Sequence, residues 1–300
     1  MAPLNYATEY SQALAQAFPY TLHFGALYAT PNNGRYRWVN ARTIEIPSLK
    51  TTGRVDSNRD TIATATRNFD NSWEPKTLVN QRKWSTLVHP MDIVQTNMVA
   101  TIQNITMVYN EEQKFPEMDA YLLSKLYSEW TALGKVANTT VLTSANVLDV
   151  FDTMMLAMDN ARVSPNGRIL YVTHEVNKML KNAQTADGSV SRNIDVNMNN
   201  GVVDRNVSRL DQVTVVPVPA ELMKSLYDFT VGWTPDPSAT QINMFLVQPI
   251  AVITPVSYQF AQLDPPAAMT EGKYVYFEES FEDAFILNNR ADALQFNVSP

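Results

Sequence analysis

The sequence predicts a mixed α+β fold, in which helices and strands follow one another irregularly. Apolar residues recur at helical spacing in several separate stretches, and short runs rich in β-branched and aromatic residues lie between and after them. Strict alternation of the two would indicate a doubly wound parallel sheet, so this order favours α+β. A further observation is a long polar stretch, residues 29–91, that lacks a core of its own. The chain has 300 residues and 45% hydrophobic content, enough for a sizeable core in one or two domains.

Five helices are predicted from apolar residues at steps of three and four. The first covers residues 5–17, and the second covers 91–109 and is long enough to form a backbone for one domain. Phe115-Pro116 is interpreted as a break, with the third helix running from Pro116 to about Leu133. The fourth starts near Ser144, and the fifth covers residues 175–183. The predicted buried faces of the second, third and fourth helices are Met91, Val94, Met98, Ile102, Ile105 and Tyr109; Met118, Leu122, Leu126, Trp130 and Leu133; and Val147, Leu148, Phe151, Met155 and Met158.

Strands are predicted where apolar runs are bounded by turn residues. The turn Pro165-Asn166-Gly167 precedes a buried strand, and residues 184–206 form a polar loop. Glu278-Glu279 are interpreted as a solvated turn between two strands. The predicted strands are residues 168–173, 213–219, 243–247, 250–260, 274–277 and 283–287.

The polar stretch is predicted to be an ordered arm. Strand-type alternation occurs at residues 43–46 and 61–66, turn-rich residues lie between these runs, and three of the five tryptophans of the chain are here. If residues 34–90 fold back once, each leg of about 28 residues could reach at most roughly 90 Å. The radius of gyration of a compact globule of this length is only about 19 Å. The arm would therefore project and find its partner surface on another copy of the chain.

Charge separates the arm from the rest of the chain. Residues 29–91 hold ten Lys/Arg and five acidic residues, whereas residues 92–300 hold 13 basic and 24 acidic residues. A basic arm and an acidic body suit docking of the arm onto a neighbouring copy. A solvated basic surface or a nucleic-acid contact are the alternatives. The predicted inter-subunit contacts are Trp38, Arg54, Arg59, Arg67, Trp73 and Trp84.

The search for chemistry in the sequence finds no catalytic, cofactor-binding or metal-binding residues. The chain has no cysteine, its nine glycines include no Gly-X-Gly spacing, and its three histidines lie far apart. Glu278 and Glu279 would point to opposite faces of a strand and so would not converge as an acid/base pair. No apolar run is long enough for a membrane span, and no export signal is seen. These observations predict a structural protein.

Six segments spread along the sequence form a characteristic series: residues 5–7, 44–47, 58–60, 115–126, 163–172 and 274–285. In this joint order they resemble the major capsid (coat) proteins of tailed bacteriophages. The resemblance implies the Hong Kong 97-type capsid fold. Its parts would be an N-terminal arm at residues 1–33, an extended β-hairpin loop at 34–90, a peripheral domain with a spine helix at 91–135 and 242–300, and an axial domain at 136–241.

The same resemblance implies a function. The chain would self-assemble into hexamers and pentamers of an icosahedral virion head, built in the cytoplasm of the host bacterium. Its partners would be other copies and a portal, with a decoration protein as a further candidate. Because the arm begins close to Met1, the resemblance implies a separate scaffolding protein or none. Double-stranded DNA would be non-specific cargo. Cross-linking between subunits has no support, since no motif identifies an Asn partner for Lys50, Lys76 or Lys83.

Two alternatives stay open. The first is an encapsulin-type compartment of the same fold, which would carry enzyme cargo instead of DNA. The second belongs to a different class, a glycan-binding or glycan-active protein that uses exposed tryptophans such as Trp38, Trp73 and Trp84.

Overall fold

The computed structural model describes residues 20–54, 56, 67–96, 101–183, 198–199, 202–203 and 207–300. Four features predicted from the sequence lie outside these ranges: the helix at residues 5–17, the strand at 61–66, Arg59 and most of the loop at 184–206. The helices are α1 (Gly25–Tyr28), α2 (Pro90–Gln95), α3 (Ile102–Tyr109), α4 (Phe115–Ala132), α5 (Val147–Asn160) and α6 (His174–Ala183), with a π-helical turn at Asn110–Lys114 and 3-10 turns at Pro31–Gly34, Ala220–Leu222, Pro249–Ala251 and Asn288–Ala293.

The described strands confirm most of the predicted ones. They are β1 (Arg37–Asn40), β2 (Thr43–Thr51), β3 (Phe69–Thr77), β4 (Gln81–Val88), β5 (Ile169–Thr173), β6 (Met198–Asn199), β7 (Val202–Val203), β8 (Arg209–Leu210), β9 (Val213–Val218), β10 (Tyr227–Asp228), β11 (Thr234–Pro235), β12 (Ile242–Val247), β13 (Val252–Ile253), β14 (Val256–Asp264), β15 (Tyr274–Glu282), β16 (Phe285–Ile286) and β17 (Leu294–Val298). The strand predicted at residues 250–260 is in fact divided, because Thr254-Pro255 separates β13 from β14.

The main core surrounds a five-stranded sheet of order β17-β12-β5-β9-β8. Strands β5 and β9 are parallel, and the other neighbours are antiparallel. Strand β12, which lies between β17 and β5, is buried along most of its length, as expected for an apolar run covered on both faces. Tyr171 of β5 packs between Phe24, with ring centroids 4.6 Å apart, and Phe245, at 5.8 Å. Because this sheet takes strands from both sides of residue 241, the predicted boundary between the axial and peripheral domains stays a prediction.

The long helix of the chain runs from residue 102 to residue 132, so the helix predicted at 91–109 is wrong in its bounds. Thr101 has extended backbone angles, and its side chain accepts a hydrogen bond from the amide of Asn104, which makes it the N-cap of α3. The periodicity of the apolar residues continued across this cap and concealed it. About 31 residues at 1.5 Å each give the long helix a length of about 46 Å.

The chain break predicted at Phe115-Pro116 is also wrong. Lys114 and Phe115 keep helical backbone angles, and the amide of Phe115 donates to the carbonyl of Asn110, five residues back. Proline removes one i→i−4 hydrogen bond and crowds the preceding turn. The wider π turn before Pro116 accommodates that ring, so α3 and α4 join without a loop.

Two predicted helix faces need smaller corrections. In α5 the buried residues include Val150 and Met154, whereas Leu148 and Met155 are only half-buried. In α4 the predicted Leu122, Leu126 and Trp130 are buried, and the chain beyond them becomes exposed at Leu133. The predicted face of α5 is therefore displaced by one position, which an isolated periodic pattern does not resolve.

A second sheet of order β14-β15-β4 lies against the long helix. The predicted turn at Glu278-Glu279 is wrong, because both residues lie inside β15. Successive residues of a strand point to opposite faces, and here Glu278 is buried beside the long helix while Glu279 lies on the other face near Gln81. The face that carries Glu279 is open, with Leu87 60% and Phe260 38% exposed. We call it the open sheet face, defined by Lys83, Leu87, Tyr258, Phe260, Phe277 and Glu279.

Candidate inter-subunit surface

The predicted arm is a β-hairpin with a well-packed root. Strands β2 and β3 pair antiparallel from Thr43↔Thr77 to Thr51↔Phe69, and β1 adds a short third strand. The alternation recognised in the sequence at residues 43–46 places Ile44 and Ile46 on the face that meets the body. There they belong to a small core with Leu78, Ile253, Phe281 and Phe285. The root of the hairpin is therefore part of the folded body.

Polar contacts fix the same root. Asp283 is 3% exposed, and its carboxylate accepts hydrogen bonds from the amide of Val79 at 2.8 Å and from the hydroxyl of Tyr121 at 2.9 Å. Lys76 of β3 lies 3.5 Å from the carboxylate of Glu129 in the long helix. A buried carboxylate with several donors holds its neighbours in one geometry, so the direction in which the hairpin leaves the body is fixed.

The opposite face of the hairpin carries apolar side chains that the body does not cover. Cross-strand pairing places Pro47 opposite Trp73 and Thr51 opposite Phe69 on this face, with Leu49 between them. Leu49 is 63% exposed, Phe69 49% and Trp73 41%. We call this the outer hairpin face, defined by Pro47, Leu49, Phe69 and Trp73. Contiguous exposed apolar side chains of this kind mark interaction sites.

Arginines accompany the outer hairpin face. The guanidinium of Arg37 lies 4.0 Å from the ring centroid of Trp73 and 2.7 Å from the carboxylate of Glu45. Arg67 lies 4.9 Å from the ring of Phe69. These cation–π contacts hold the aromatic side chains in place before any partner arrives. Sequence reasoning missed Arg37, which lies on β1 and reaches Trp73 of β3 across the intervening strand β2.

The six predicted contact residues do not form one surface. Trp73 and Arg67 lie at the outer hairpin face, and Arg54 is exposed farther along the hairpin. Trp38 is 41% exposed on β1, where its ring meets Tyr36 edge to face at 5.7 Å. Arg59 lies outside the described residues.

Trp84, the sixth predicted contact, is engaged within the chain. Its ring stacks on Tyr109 of the long helix, with centroids 3.8 Å apart and planes 7° from parallel. Nearby, Lys114 of the π turn lies 3.2 Å from Glu278, and Arg82 pairs with Glu117. Burial, with the carboxylate of Glu278 beside it, raises the pKa of Tyr276 to about 12. Trp84 therefore helps to join the second sheet to the long helix, and we leave it out of the docking surface.

A buried aspartate fixes the N-terminal part of the described chain. Asp119 of α4 is fully buried and accepts hydrogen bonds from the Tyr20 hydroxyl at 2.6 Å and from the amides of His23 at 2.9 Å and Phe24 at 3.2 Å. Burial raises the pKa of Asp119, while these hydrogen bonds oppose the rise. No sequence motif indicated this contact.

Two features are absent from the described residues. Among them, no group of three or more His, Asp or Glu side chains could hold a metal ion. Within the same ranges, no helix is both long and apolar enough to cross a membrane.

Solved structures with this fold are phage capsids. The chain aligns with the capsid structure of the cyanophage P-SCSP1u with a TM-score of 0.68 and 10% identity, covering 95% of this chain and 90% of that one. For the bacteriophage PhiM1 mature capsid the TM-score is 0.64 at 13% identity, covering 86% and 82%. For Mycobacterium phage Che8 it is 0.61 at 11%, covering 94% and 92%.

No family model and no curated protein matches the sequence. At these low identities the structural likeness establishes the fold, and it does so over most of the chain. The protein has the fold of phage capsid subunits. More specifically, this is the α+β Hong Kong 97-type capsid fold that the sequence predicted.

Proposed function

We propose that this chain is the major capsid protein of a tailed phage, a structural and non-enzymatic protein. It forms hexamers and pentamers that close into an icosahedral head around double-stranded DNA. The observation that carries the proposal is the outer hairpin face, because the hairpin is rooted firmly in its own body and yet presents Leu49, Phe69 and Trp73 away from it. On a capsid fold, the surface that such a hairpin can cover belongs to a neighbouring copy.

The open sheet face is the surface that we propose to receive it. Leu87, Tyr258 and Phe260 are between 38% and 60% exposed there, on a sheet whose other face is occupied by the long helix. Two uncovered apolar surfaces suit each other, and one copy would then offer its hairpin while its sheet accepts the hairpin of another. Such a head-to-tail contact closes into rings when the rotation between copies allows it.

Charge supports the same pairing. The hairpin region is rich in arginine, whereas residues 92–300 carry 24 acidic against 13 basic residues. This complementarity would guide the approach of two copies more than it would hold them. The acidic body would also limit adhesion to packaged DNA, which we propose as non-specific cargo.

The remaining parts of the proposal rest on the resemblance to capsid proteins. We assign residues 1–33 to an N-terminal arm, 34–90 to the extended loop, 91–135 with 242–300 to the peripheral domain, and 136–241 to the axial domain. The partners proposed beyond further copies are a portal and a scaffolding or decoration protein. Assembly would take place in the cytoplasm of a host bacterium, before the protein becomes part of the virion.

The test is electron microscopy of the expressed, purified protein, together with sizing across micromolar concentrations. Capsomers, tubes or closed shells are the expected result. A stable monomer at every concentration would contradict the proposal. Shells that contain an enzyme instead of DNA, isolated from the native source, would favour the encapsulin-type compartment. Glycan binding by a monomer would favour the third alternative, although Arg37 already covers one face of Trp73 at 4.0 Å.

A further inference from the structure

Several turns of the chain meet around an open cleft of about 530 Å³ that has no part in the proposed docking. It lies between the 3-10 turn Pro31–Gly34, the end of α5, the turn Pro249–Ala251 and the turn Asn288–Ala293. We call it the arginine cleft, because three arginines, Arg35, Arg162 and Arg290, line it. Each is more than 120 residues from the next in sequence, so no local pattern could have revealed the cluster.

The positive charge of the arginine cleft is not neutralised from within the described chain. None of the three arginines forms an ion pair with a described residue, and Arg290 donates only to the carbonyl of Ile250, at 3.3 Å. Among the described residues that line the cleft, Asp292 is the single carboxylate, and it is paired with Lys135. Concave surfaces with one sign of charge concentrate counter-ions. Here that charge is positive on a body that is otherwise acidic.

The backbone at Arg162 gives an independent reason to assign a role to this cleft. Arg162 follows α5 with a φ of 60°, in the left-handed region. Its amide donates to the carbonyl of Asp159 at 2.9 Å, and the amide of Val163 donates to that of Met158 at 3.0 Å. This is a Schellman motif, whose left-handed position is usually glycine because a side chain there costs free energy. The chain nevertheless has an arginine at this position, and Arg162 lines the cleft.

The turn that carries Arg162 is also held rigidly. The buried guanidinium of Arg168 donates to the carbonyl of Val163 and to the carboxylate of Asp159, each at 2.6 Å. On the other side of the cleft, Gln248 donates to the carbonyl of Asn166 at 2.6 Å. Side chains that project from fixed turns lose less entropy when they bind, so the arginine cleft is prepared for a ligand.

We propose that the arginine cleft is an anion-binding site for a small polyvalent oxyanion of the phosphate class. Arginine presents planar pairs of N–H donors that match phosphate oxygens, and three arginines around one cleft can contact several such groups at once. Phosphate groups could come from a small molecule or from a nucleic-acid backbone. The volume of about 530 Å³ suits the small molecule, because a duplex could not enter the cleft.

The test measures pyrophosphate binding to the full-length chain by isothermal titration calorimetry, with all samples in the same assembly state as checked by light scattering. Arg162→Gly is the informative variant, because glycine relieves the left-handed backbone. It should leave the melting temperature unchanged or higher and still weaken pyrophosphate binding by about tenfold. The pair Arg35→Ala with Arg290→Ala should weaken it further. Arg209→Ala removes an exposed arginine of β8 outside the cleft and should change nothing.

Three results would overturn the proposal. One is an unchanged affinity in Arg162→Gly and in the double variant. Another is an equal loss in Arg209→Ala, which would show that only net charge matters. The last is displacement of pyrophosphate by a short DNA duplex, which would transfer the contact to a nucleic-acid backbone. The outcome does not depend on whether the chain forms a shell, so this test and that of the proposed function can fail separately.

Discussion

Replacing Trp73 by alanine is the most direct test of the outer hairpin face. Trp73 is 41% exposed, and a tryptophan side chain can bury up to about 250 Å², so about 100 Å² remains available to a partner. At about 25 cal/mol per Å², burying that area contributes about 2.5 kcal/mol to each contact between copies. An exposed charge pair contributes only about 0–1 kcal/mol. Trp73→Ala should therefore weaken each contact roughly 50- to 100-fold.

Light scattering as a function of protein concentration measures this effect as a rise in the concentration at which assembly begins. The fold should survive, because the lost intrachain contact is the cation–π interaction with Arg37, which contributes about 0.5–1 kcal/mol at an exposed site. Leu49→Ala and Leu156→Ala form a matched pair, since these leucines are 63% and 59% exposed and only Leu49 lies on the hairpin. Assembly at the wild-type concentration by Trp73→Ala and Leu49→Ala, or an equal defect in Leu156→Ala, would refute the reasoning.

Four further outcomes are expected. Replacing residues 52–68 by a short Gly/Ser turn should leave the unfolding transition intact and abolish shells in micrographs, because the paired root stays; regular shells would show the hairpin to be dispensable. Changing Arg54, Arg59 and Arg67 together to Glu should slow assembly at low salt and less so at high salt, as the screening length falls below about 10 Å; normal kinetics at low salt would exclude charge guidance. Trp84→Ala should lower the free energy of unfolding by about 2–3 kcal/mol in urea titrations, because it removes the stack that joins the second sheet to the long helix. A defect in assembly with no change in the free energy of unfolding would show that Trp84 belongs to the docking surface. Burial raises the pKa of Glu282 above its ordinary value of 4.5, so the contribution of this carboxyl group to stability declines as pH rises from about 4.5 through the raised pKa. Glu282→Gln should flatten that decline in the free energy of unfolding measured by urea titration. An unaltered pH profile would contradict this assignment.

Sequence reasoning succeeded where a local pattern is also the cause of the structure. The alternation at residues 43–46 places Ile44 and Ile46 on the same face of the strand, whichever residues they pack against. The strand could therefore be predicted without knowledge of those packing partners. The apolar runs of β5, β9 and β12 were recognised for the same reason. The fold class followed from the order of these elements, and the structural neighbours confirm it.

The errors arose where distant residues decide the outcome. Pro116 normally ends a helix, and only the π turn before it allows the helix to continue. The acidic pair Glu278-Glu279 is typical of a solvated turn in the sequence alone. In the structure Glu278 pairs with Lys114, which lies over 160 residues away in sequence. Trp84 could not be assigned to the inside or the outside of the chain before its partner Tyr109 was located. Each of these depends on tertiary packing, which overrides local preference.

The order of strands in the five-stranded sheet has a consequence for the timing of synthesis. Strand β12, Ile242–Val247, is flanked by Ile169–Thr173 on one side and by the edge strand Leu294–Val298 on the other. At about 5–20 residues per second, a ribosome needs several seconds to pass from β12 to residue 298. During those seconds the hairpin has long been made, but the body that roots it lacks one edge of its main sheet. A nascent chain thus cannot present a completely folded subunit to its neighbours. Synthesis of β17 therefore delays assembly until translation has passed this strand.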